Sequence, residues 1–216
     1  MNKAKGISYM LLAIGAVVGL ALEFLLAYII EPNIYHLQMT DWSTSNYIIH
    51  WIVTCIMWGI VGAIIVHYSK TRLNYDILKK GEKLKAYQCL LIILGIVLSA
   101  IVSYFSWDGF KVLKEFQNLG VLKFFFQYMY YAFEVMLFNL ILIFGQKACE
   151  IWFRKTTFPY GGVIVALTWG IGHFISKDFI TGILSVVIGF VFGATYLLTN
   201  RDVKKTYIAT FLMFAL

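Results

Sequence analysis

Long apolar segments dominate this chain and are separated by short polar ones. Four of them are almost free of charged residues and reach the length of about 20 apolar residues that a membrane-spanning helix needs. They are residues 7–30, 47–68, 86–107 and 179–199. Segment 121–145 is interrupted by polar residues, and segment 160–176 is shorter and rich in glycine. No segment shows the regular alternation of a transmembrane β-barrel, so the pattern predicts an all-α, polytopic membrane bundle with about six full spans.

For two segments, the sequence pattern is compatible with more than one structure. Residues 206–216 are apolar, but at about 1.5 Å per residue they cover only about half of the hydrocarbon layer. They form either a half-span packed among the other helices or a span that is cut in the middle. Residues 107–120 form either an amphipathic helix at the membrane interface or the start of the next span. The spacings of Gly15 with Gly19 and of Gly189 with Gly193 predict close helix packing, and residues 1–216 are expected to form one integral membrane domain.

The composition agrees with a membrane protein, because only 13% of the residues are charged, against about 25% in soluble domains. The net charge of +7 follows the expected topology. If the helices alternate in direction, 14 of the 18 Lys and Arg residues fall on one side of the membrane. The positive-inside rule predicts that this side, and the N-terminus with it, is cytoplasmic. The basic excess therefore needs no nucleic-acid partner. The 14 residues are Lys3, Lys5, Lys70, Arg72, Lys79, Lys80, Lys83, Lys85, Lys147, Arg154, Lys155, Arg201, Lys204 and Lys205.

The N-terminal segment and the cysteines each argue against a common alternative. The first apolar segment is longer than the core of a signal peptide, and no cleavage motif follows it, so we expect a retained first helix. Cys55, Cys89 and Cys149 are scattered and form no C-x-x-C pair. They predict neither a disulfide framework nor a metal site, and we expect no cofactor.

Three ionisable side chains lie well inside predicted spans: Glu23, Glu134 and His173. Charged groups at this depth are costly and face a partner or a cavity, which makes each a candidate functional residue. Glu23 is expected to be protonated and hydrogen-bonded to a neighbouring helix. His50 and His67 lie near the ends of predicted spans and are expected at the membrane interface.

Glu134 and His173 form the candidate catalytic pair, because antiparallel helices would place them at similar depths. Entry of the fourth span near Gln127 puts Glu134 about 10 Å deep, and His173 lies about 6 Å before the exit of the fifth span at Lys177. A carboxylate in such a pocket is suited to act as a general base toward water, while the imidazole orients the water or stabilises an oxyanion. The H-E-x-x-H pattern of zinc peptidases is absent.

The order and spacing of these residues resemble the CPBP or Abi family of membrane proteins. This family includes type II CAAX prenyl endopeptidases and proteins of bacteriocin processing and self-immunity. Its members carry a double glutamate followed by arginine, then Phe-x-x-x-His on the next helix, and His-x-x-x-Asn on the last. Here AFEVMLFN (132–139) resembles the first motif, WGIGH (169–173) the second, and the stretch leading to residue 214 the third. The likeness covers about residues 124–216.

The chain departs from the family pattern at several positions. One glutamate, Glu134, replaces the pair, and the arginine position falls on Phe138 or Asn139. The third-motif histidine and asparagine fall on Thr210 and Phe214. Half of the constellation that the resemblance implies is therefore missing.

The resemblance implies a glutamate-dependent intramembrane peptidase, in which Glu134 activates water and His173 contributes to the oxyanion hole. Trp169, Asn139 and Thr210 are candidate supporting residues. The expected setting is the lipid bilayer of a bacterial or archaeal cell membrane, with a membrane peptide or protein as substrate.

Two other functions stay open at this stage. The first is a non-catalytic family member that binds a membrane partner or peptide in the former active-site cavity, as a pseudoprotease, immunity protein or scaffold. The second is a proton-coupled transporter with Glu23, Glu134 and His173 as a relay. Transport is the weaker of the two, since no inverted repeat is evident in the sequence.

The predicted topology can be tested by cysteine labelling from outside the cell. A membrane-impermeant maleimide should modify cysteines introduced into residues 31–45, because this segment is expected outside. It should not modify cysteines introduced into residues 69–85 or 146–157, which carry the basic clusters. The opposite labelling pattern would overturn the orientation.

Overall fold

The protein is a bundle of helices. The computed structural model describes residues 3–176 and 178–216, and within these residues it contains seven helical runs and no strand. The runs are α1 (Lys3–Tyr35), α2 (Thr44–Arg72), α3 (Ala86–Ser106), α4 (Lys111–Phe153), α5 (Tyr160–Ile175), α6 (Phe179–Leu198) and α7 (Val203–Ala215). The predicted all-α class is confirmed.

Five helices, α1, α2, α3, α4 and α6, are long and apolar enough to cross a membrane. The remaining expected span, α5, is a shorter apolar helix. At about 1.5 Å per residue it reaches about 24 Å, which is less than the hydrocarbon thickness of about 30 Å. Helix α7 packs against α3, α4 and α6. Residues 203–215 therefore form a short helix that is held among the other helices.

Helix α4 is the centre of the bundle. From residue 135 onward its side chains are largely enclosed; Val135, Leu137, Phe138 and Ile141 have no exposed area. Helices α1, α2, α5 and α7 all pack on α4. Because lipid tails are as apolar as leucine, van der Waals packing of this kind is what holds membrane helices together. Glu134, one residue before this enclosed stretch, is consequently carried on the most firmly packed helix.

Glycines let α5 approach α4 and α6 closely. A Cβ atom on Gly161 would lie 2.1 Å from the carbonyl oxygen of Leu142, and one on Gly193 would lie 2.5 Å from Cα of Gly162. Both distances are far inside van der Waals contact, so these positions require glycine. The close packing predicted for Gly19, Gly189 and Gly193 is confirmed, whereas a Cβ atom on Gly15 would make only an ordinary contact, 3.8 Å from Cδ1 of Ile65.

The outer surface of the bundle is apolar. Only 6% of the apolar window of α3 is buried, and Leu90, Ile93 and Leu98 are all more than half exposed. Soluble monomers rarely expose contiguous apolar patches of this extent. Together with the five candidate spans, this surface identifies an integral membrane protein whose exterior faces lipid.

The segment before the fourth span is a separate short helix. Gly120 interrupts α4 with φ 69° and ψ 171°, a left-handed conformation that glycine adopts without strain. In the turns before this break, Lys111 and Glu115 are buried in the protein, whereas Phe110 and Leu113 point outward. The polar side of this amphipathic segment therefore faces the interior of the bundle, and its apolar side faces the surroundings.

The basic segments gather at one end of the bundle. There, the N–H of Gly81, between α2 and α3, donates to Asp202 at the start of α7 (3.0 Å). Arg201 forms an ion pair with Glu150 near the end of α4 (2.8 Å). The start of α1 lies at the same end, since the indole of Trp152 donates to a carbonyl of its first turn. The alternating arrangement that the charge distribution predicts is thus present in the fold.

Asp202 stabilises this end of the bundle, and its contribution depends on pH. Its carboxylate also accepts from the N–H of Lys205 and lies 3.3 Å from the Lys205 ammonium. Burial opposes ionisation, but these hydrogen bonds and the ammonium outweigh it and hold the pKa of Asp202 below its usual range. The stabilisation is complete above the ordinary aspartate pKa and is lost as the pH falls through the lowered one.

At pH 7, Asp202→Ala should reduce the unfolding free energy by about 1–2 kcal/mol, the usual cost of losing a helix N-cap. Asp202→Asn should retain much of the cap, because asparagine is a good N-cap residue. The difference between wild type and Asp202→Asn should shrink as the pH is lowered toward 3. Thermal unfolding in detergent measures both effects, with the exposed Glu82→Gln as control. A pH-independent difference would contradict this role of the charge.

Candidate functional site

A cavity of about 950 Å³ lies inside the bundle and is lined by residues from α1, α3, α4, α5, α6 and α7. Its volume is at the upper end of the range typical of ligand sites. Most of the lining is apolar, and it includes a set of large polar and ionisable side chains. These are Glu23, Lys111, Glu115, Gln127, Tyr130, Tyr131, Glu134, Trp169 and His173.

Trp169 connects the two candidate catalytic residues in this cavity. Its indole Nε1–H donates to Oε1 of Glu134 at 2.8 Å. Its backbone carbonyl lies 2.9 Å from Nδ1 of His173, and the two rings are 4.5 Å apart between centroids. The structure thus brings together Glu134, Trp169 and His173, and their catalytic roles stay predictions.

The contact to the carbonyl fixes the tautomer of His173. A carbonyl oxygen only accepts hydrogen bonds, so Nδ1 must carry the proton when the imidazole is neutral. Nε2 is then an acceptor. A neutral His173 is therefore suited to orient a water molecule, and it would donate to an oxyanion only after protonation.

A π-helical turn positions Trp169. Residues Ala166–Gly170 form a single π turn between two short α-helical stretches, and such turns are frequent at functional sites. The Trp169 ring packs 5.3 Å from that of Phe138 on α4. Gly170 follows at a close approach to α6, where a Cβ atom would lie 3.0 Å from the carbonyl oxygen of Ser185. These contacts hold the indole toward Glu134.

Asn139 and Thr210 are brought to each other instead of to the cavity. The side-chain amide of Asn139 donates to Oγ1 of Thr210 at 2.8 Å, and both residues are buried. Neither belongs to the described cavity lining. Phe214, at the third-motif asparagine position, does line the cavity, and its ring centroid lies 5.9 Å from that of Trp169. An aromatic ring therefore occupies the place where the resemblance implies a polar group.

A polar cluster on the short helix before Gly120 was not predicted from the sequence. Glu115 accepts hydrogen bonds from the hydroxyls of Tyr128 (2.9 Å) and Tyr131 (2.7 Å) and from the amide of Gln127 (3.0 Å). Lys111 donates to the carbonyl of Phe214 in the last turn of α7 at 2.7 Å, where the helix dipole favours a cation. In the sequence, the i, i+4 spacing of Lys111 and Glu115 was the feature that could have indicated this cluster.

A second unpredicted cluster surrounds His50, whose side chain is fully buried. Its Nδ1 lies 2.6 Å from Oε2 of Glu31, and its Nε2 lies 3.6 Å from Oε1 of Glu23. Tyr130 donates to the same oxygen of Glu23 at 2.6 Å, which confirms that Glu23 is hydrogen-bonded to a neighbouring helix. His50 is thus enclosed by protein, whereas its position near the end of a span predicted a place at the membrane interface. In the sequence, this cluster was indicated only by the short connection between α1 and α2, which places Glu31 and His50 at a similar height along the two helices.

The comparisons with known proteins give no relative: no family model, no curated protein and no solved structure matches this chain. Among the residues that the structure describes, no group of histidine, cysteine, aspartate and glutamate is arranged to hold a metal ion. The chemistry of the cavity therefore has to be inferred from the side chains that line it.

The His50 cluster predicts a specific stability effect. His50→Ala removes the partner of the buried Glu31 carboxylate and should cost about 1–3 kcal/mol, the penalty for a buried unsatisfied group. His67→Ala, on the exposed side of the same helix, is the matched control and should change little.

A double-mutant cycle separates this pairing from a general packing loss. His50→Ala combined with Glu31→Ala should destabilise the protein by less than the sum of the two single changes. Unfolding in detergent provides the measurement. Additive effects would show that the two side chains do not stabilise each other.

Proposed function

We propose that this protein is a membrane-embedded peptidase in which Glu134 acts as the general base on a water molecule in the cavity. The observation that carries the proposal is the shared wall position of Glu134 and His173, with Trp169 in contact with both. A carboxylate and an imidazole that share a cavity within an apolar bundle are costly to maintain. Such groups are typical of sites that handle protons.

In the proposed reaction, the Glu134 carboxylate takes a proton from water while the water oxygen bonds to the carbonyl carbon of the substrate. The carbon–nitrogen bond then breaks, and the proton on Glu134 passes to the departing amine. Atoms and charge balance without a cofactor. His173 accepts a hydrogen bond from the water through Nε2 and orients it, in keeping with its contact to the Trp169 carbonyl.

The apolar part of the cavity supports a hydrophobic substrate. Leu98 and Val102 of α3 and Leu184 and Ile188 of α6 belong to the apolar part of the lining. Ligand sites commonly combine such apolar walls with a few polar groups that fix orientation. A peptide segment from the membrane is the substrate class that fits this combination. The similarity to CPBP membrane proteins, a cytoplasmic N-terminus and a bacterial or archaeal membrane are part of the same proposal.

A non-catalytic role in binding a membrane peptide or protein is the second candidate, and one observation favours it. Thr210 and Phe214 replace the third-motif histidine and asparagine, with Thr210 turned to Asn139 and Phe214 placing an aromatic ring at the cavity wall. Loss of one oxyanion-hole donor typically lowers the rate by ~10²–10³. A peptidase with this site is therefore expected to be slow.

The proposal is tested with purified protein in nanodiscs and a library of membrane-spanning peptides. Glu134→Gln should abolish cleavage, a loss of at least ~10² in rate, with little change in unfolding temperature, because the amide keeps the shape and cannot take the proton. His173→Ala should also reduce cleavage strongly. Trp169→Phe should cause a smaller loss, since it removes the indole N–H but keeps an aromatic ring.

The control is Glu82→Gln, which changes an exposed glutamate in the loop between α2 and α3. This variant should cleave like wild type. A folded wild type that cleaves no peptide of the library, yet retains peptides on the nanodisc, would refute the peptidase and support the binding role.

A further inference from the structure

A second cavity, of about 700 Å³, is formed by α2, α4, α7 and the segment between α2 and α3. Both α2 and α7 pack against α4, and the cavity is a groove between them with α4 as its floor. Leu140 and Ile143 of α4 line this groove and are buried. The groove and the candidate site have no described lining residue in common. They are therefore two separate sites on different faces of α4.

The groove opens to the exterior of the bundle. Leu78 and Ile208 belong to its lining and are more than half exposed. The lining is largely apolar, and the hydroxyl of Tyr207 is already bonded to the carbonyl of Ala132 at 3.0 Å. Because the exterior of this bundle faces lipid, the group that meets the groove is an acyl chain.

The length of the groove corresponds to one leaflet of a bilayer. The α4 residues that line it run from Phe133 to Ile143, a distance of about 15 Å at about 1.5 Å per residue. The hydrocarbon layer is about 30 Å thick, so this is about half of it. Val203 and Lys204, at the start of α7, also line the groove. The groove thus extends from the basic end of the bundle toward the middle of the membrane.

Lysines surround the basic end of the groove. Lys204 belongs to the lining, and Lys79 and Lys80 directly follow the lining residue Leu78. All three lysines are exposed. Segment 77–85, which closes this end, contains four lysines and one glutamate. An anion at the mouth of the groove would therefore meet a positively charged surface.

The charge of these lysines is not neutralised by ion pairs. Within residues 3–176 and 178–216, the ion pairs at the basic end use other cations. These pairs are Lys70 with Asp76, Lys205 with Asp202 and Arg201 with Glu150. Lys79, Lys80 and Lys204 consequently keep their full charge for a ligand.

We propose that this groove binds an anionic phospholipid, with one acyl chain along α4 between α2 and α7 and the phosphate among Lys79, Lys80 and Lys204. Every lipid of the membrane offers an acyl chain, so contact with the groove alone does not select among lipids. Basic side chains at the membrane surface attract anionic headgroups, and they supply the selectivity. This site does not depend on the proposed peptidase function.

The test measures the binding of single lipids to the purified protein in detergent by native mass spectrometry. Phosphatidylglycerol is compared with phosphatidylcholine that has the same acyl chains. Phosphatidylglycerol should bind at least ~10-fold more tightly, because each lysine near an anionic headgroup contributes about 5-fold. Glycerol 3-phosphate, which has the phosphate but no acyl chain, should not displace it at equal concentration. Equal binding of the two lipids, or displacement by glycerol 3-phosphate, would overturn the proposal.

Lys204→Gln tests the contact with the headgroup. It should lower the affinity for phosphatidylglycerol about 5-fold and leave that for phosphatidylcholine nearly unchanged. Lys5→Gln is the matched control, because it removes an exposed charge at the same end of the bundle but outside the groove. It should bind both lipids like wild type. An equal loss in the two variants would reveal a general attraction to the basic end and would contradict a specific site.

Ala63→Trp tests the contact with the acyl chain. Ala63 is an exposed residue of the lining, and an indole at this position should fill the groove and weaken the binding of both lipids. Ile64→Trp, at the neighbouring exposed position outside the lining, should have little effect. Unaltered phosphatidylglycerol binding in a folded Ala63→Trp would exclude the groove as the site. If Ala63→Trp does not fold, the comparison of Lys204→Gln with Lys5→Gln still decides.

Discussion

The absence of water inside a bilayer is the constraint on which this structure depends. A polar group in the hydrocarbon region must find its partner within the protein, and the carboxylates that line the cavity follow this rule. Glu23 receives the hydroxyl of Tyr130, Glu115 receives two tyrosine hydroxyls and an amide, and Glu134 receives the indole of Trp169. Each of these bonds joins different helices or separate segments of α4, so satisfying the polar groups also fixes how the segments pack.

Helix α4 combines both requirements along its length. Its later part is enclosed by apolar packing, while the earlier part carries Gln127, Tyr130, Tyr131 and Glu134 into the cavity. The tightly packed part of α4 is thus adjacent to the part that carries the polar side chains. Packing of this kind keeps a reactive group in a defined position. The π turn of α5 has the complementary role, because it brings Trp169 against α4 while its carbonyl sets the tautomer of His173.

Much of this architecture is predictable from the sequence, because apolar length and charge distribution are properties of single segments. The all-α class and the gathering of basic segments at one end of the bundle follow from them, as does the glycine packing at Gly193. The short length of α5 follows in the same way, because its apolar segment, residues 160–176, is shorter than the others. The clusters around His50 and Glu115 depend on contacts between helices, which periodicity in one segment does not specify. Asn139 illustrates the same limit: its helix is predictable, but its pairing with Thr210 on α7 is not.

The position of Phe214 gives the cavity its distinctive chemistry. A polar group there would add a donor beside His173, as the resemblance to CPBP proteins implies, whereas the ring adds apolar and aromatic surface beside Trp169. The same ring lies 4.8 Å from the ammonium of Lys111, whose hydrogen bond to the Phe214 carbonyl holds the end of α7 in place. Aromatic surface favours contact with an apolar ligand, while a second donor would favour stabilisation of an oxyanion. In the proposed peptidase, this lining is expected to hold an apolar peptide segment well and to hydrolyse it slowly, because the ring supplies contact area but no hydrogen-bond donor.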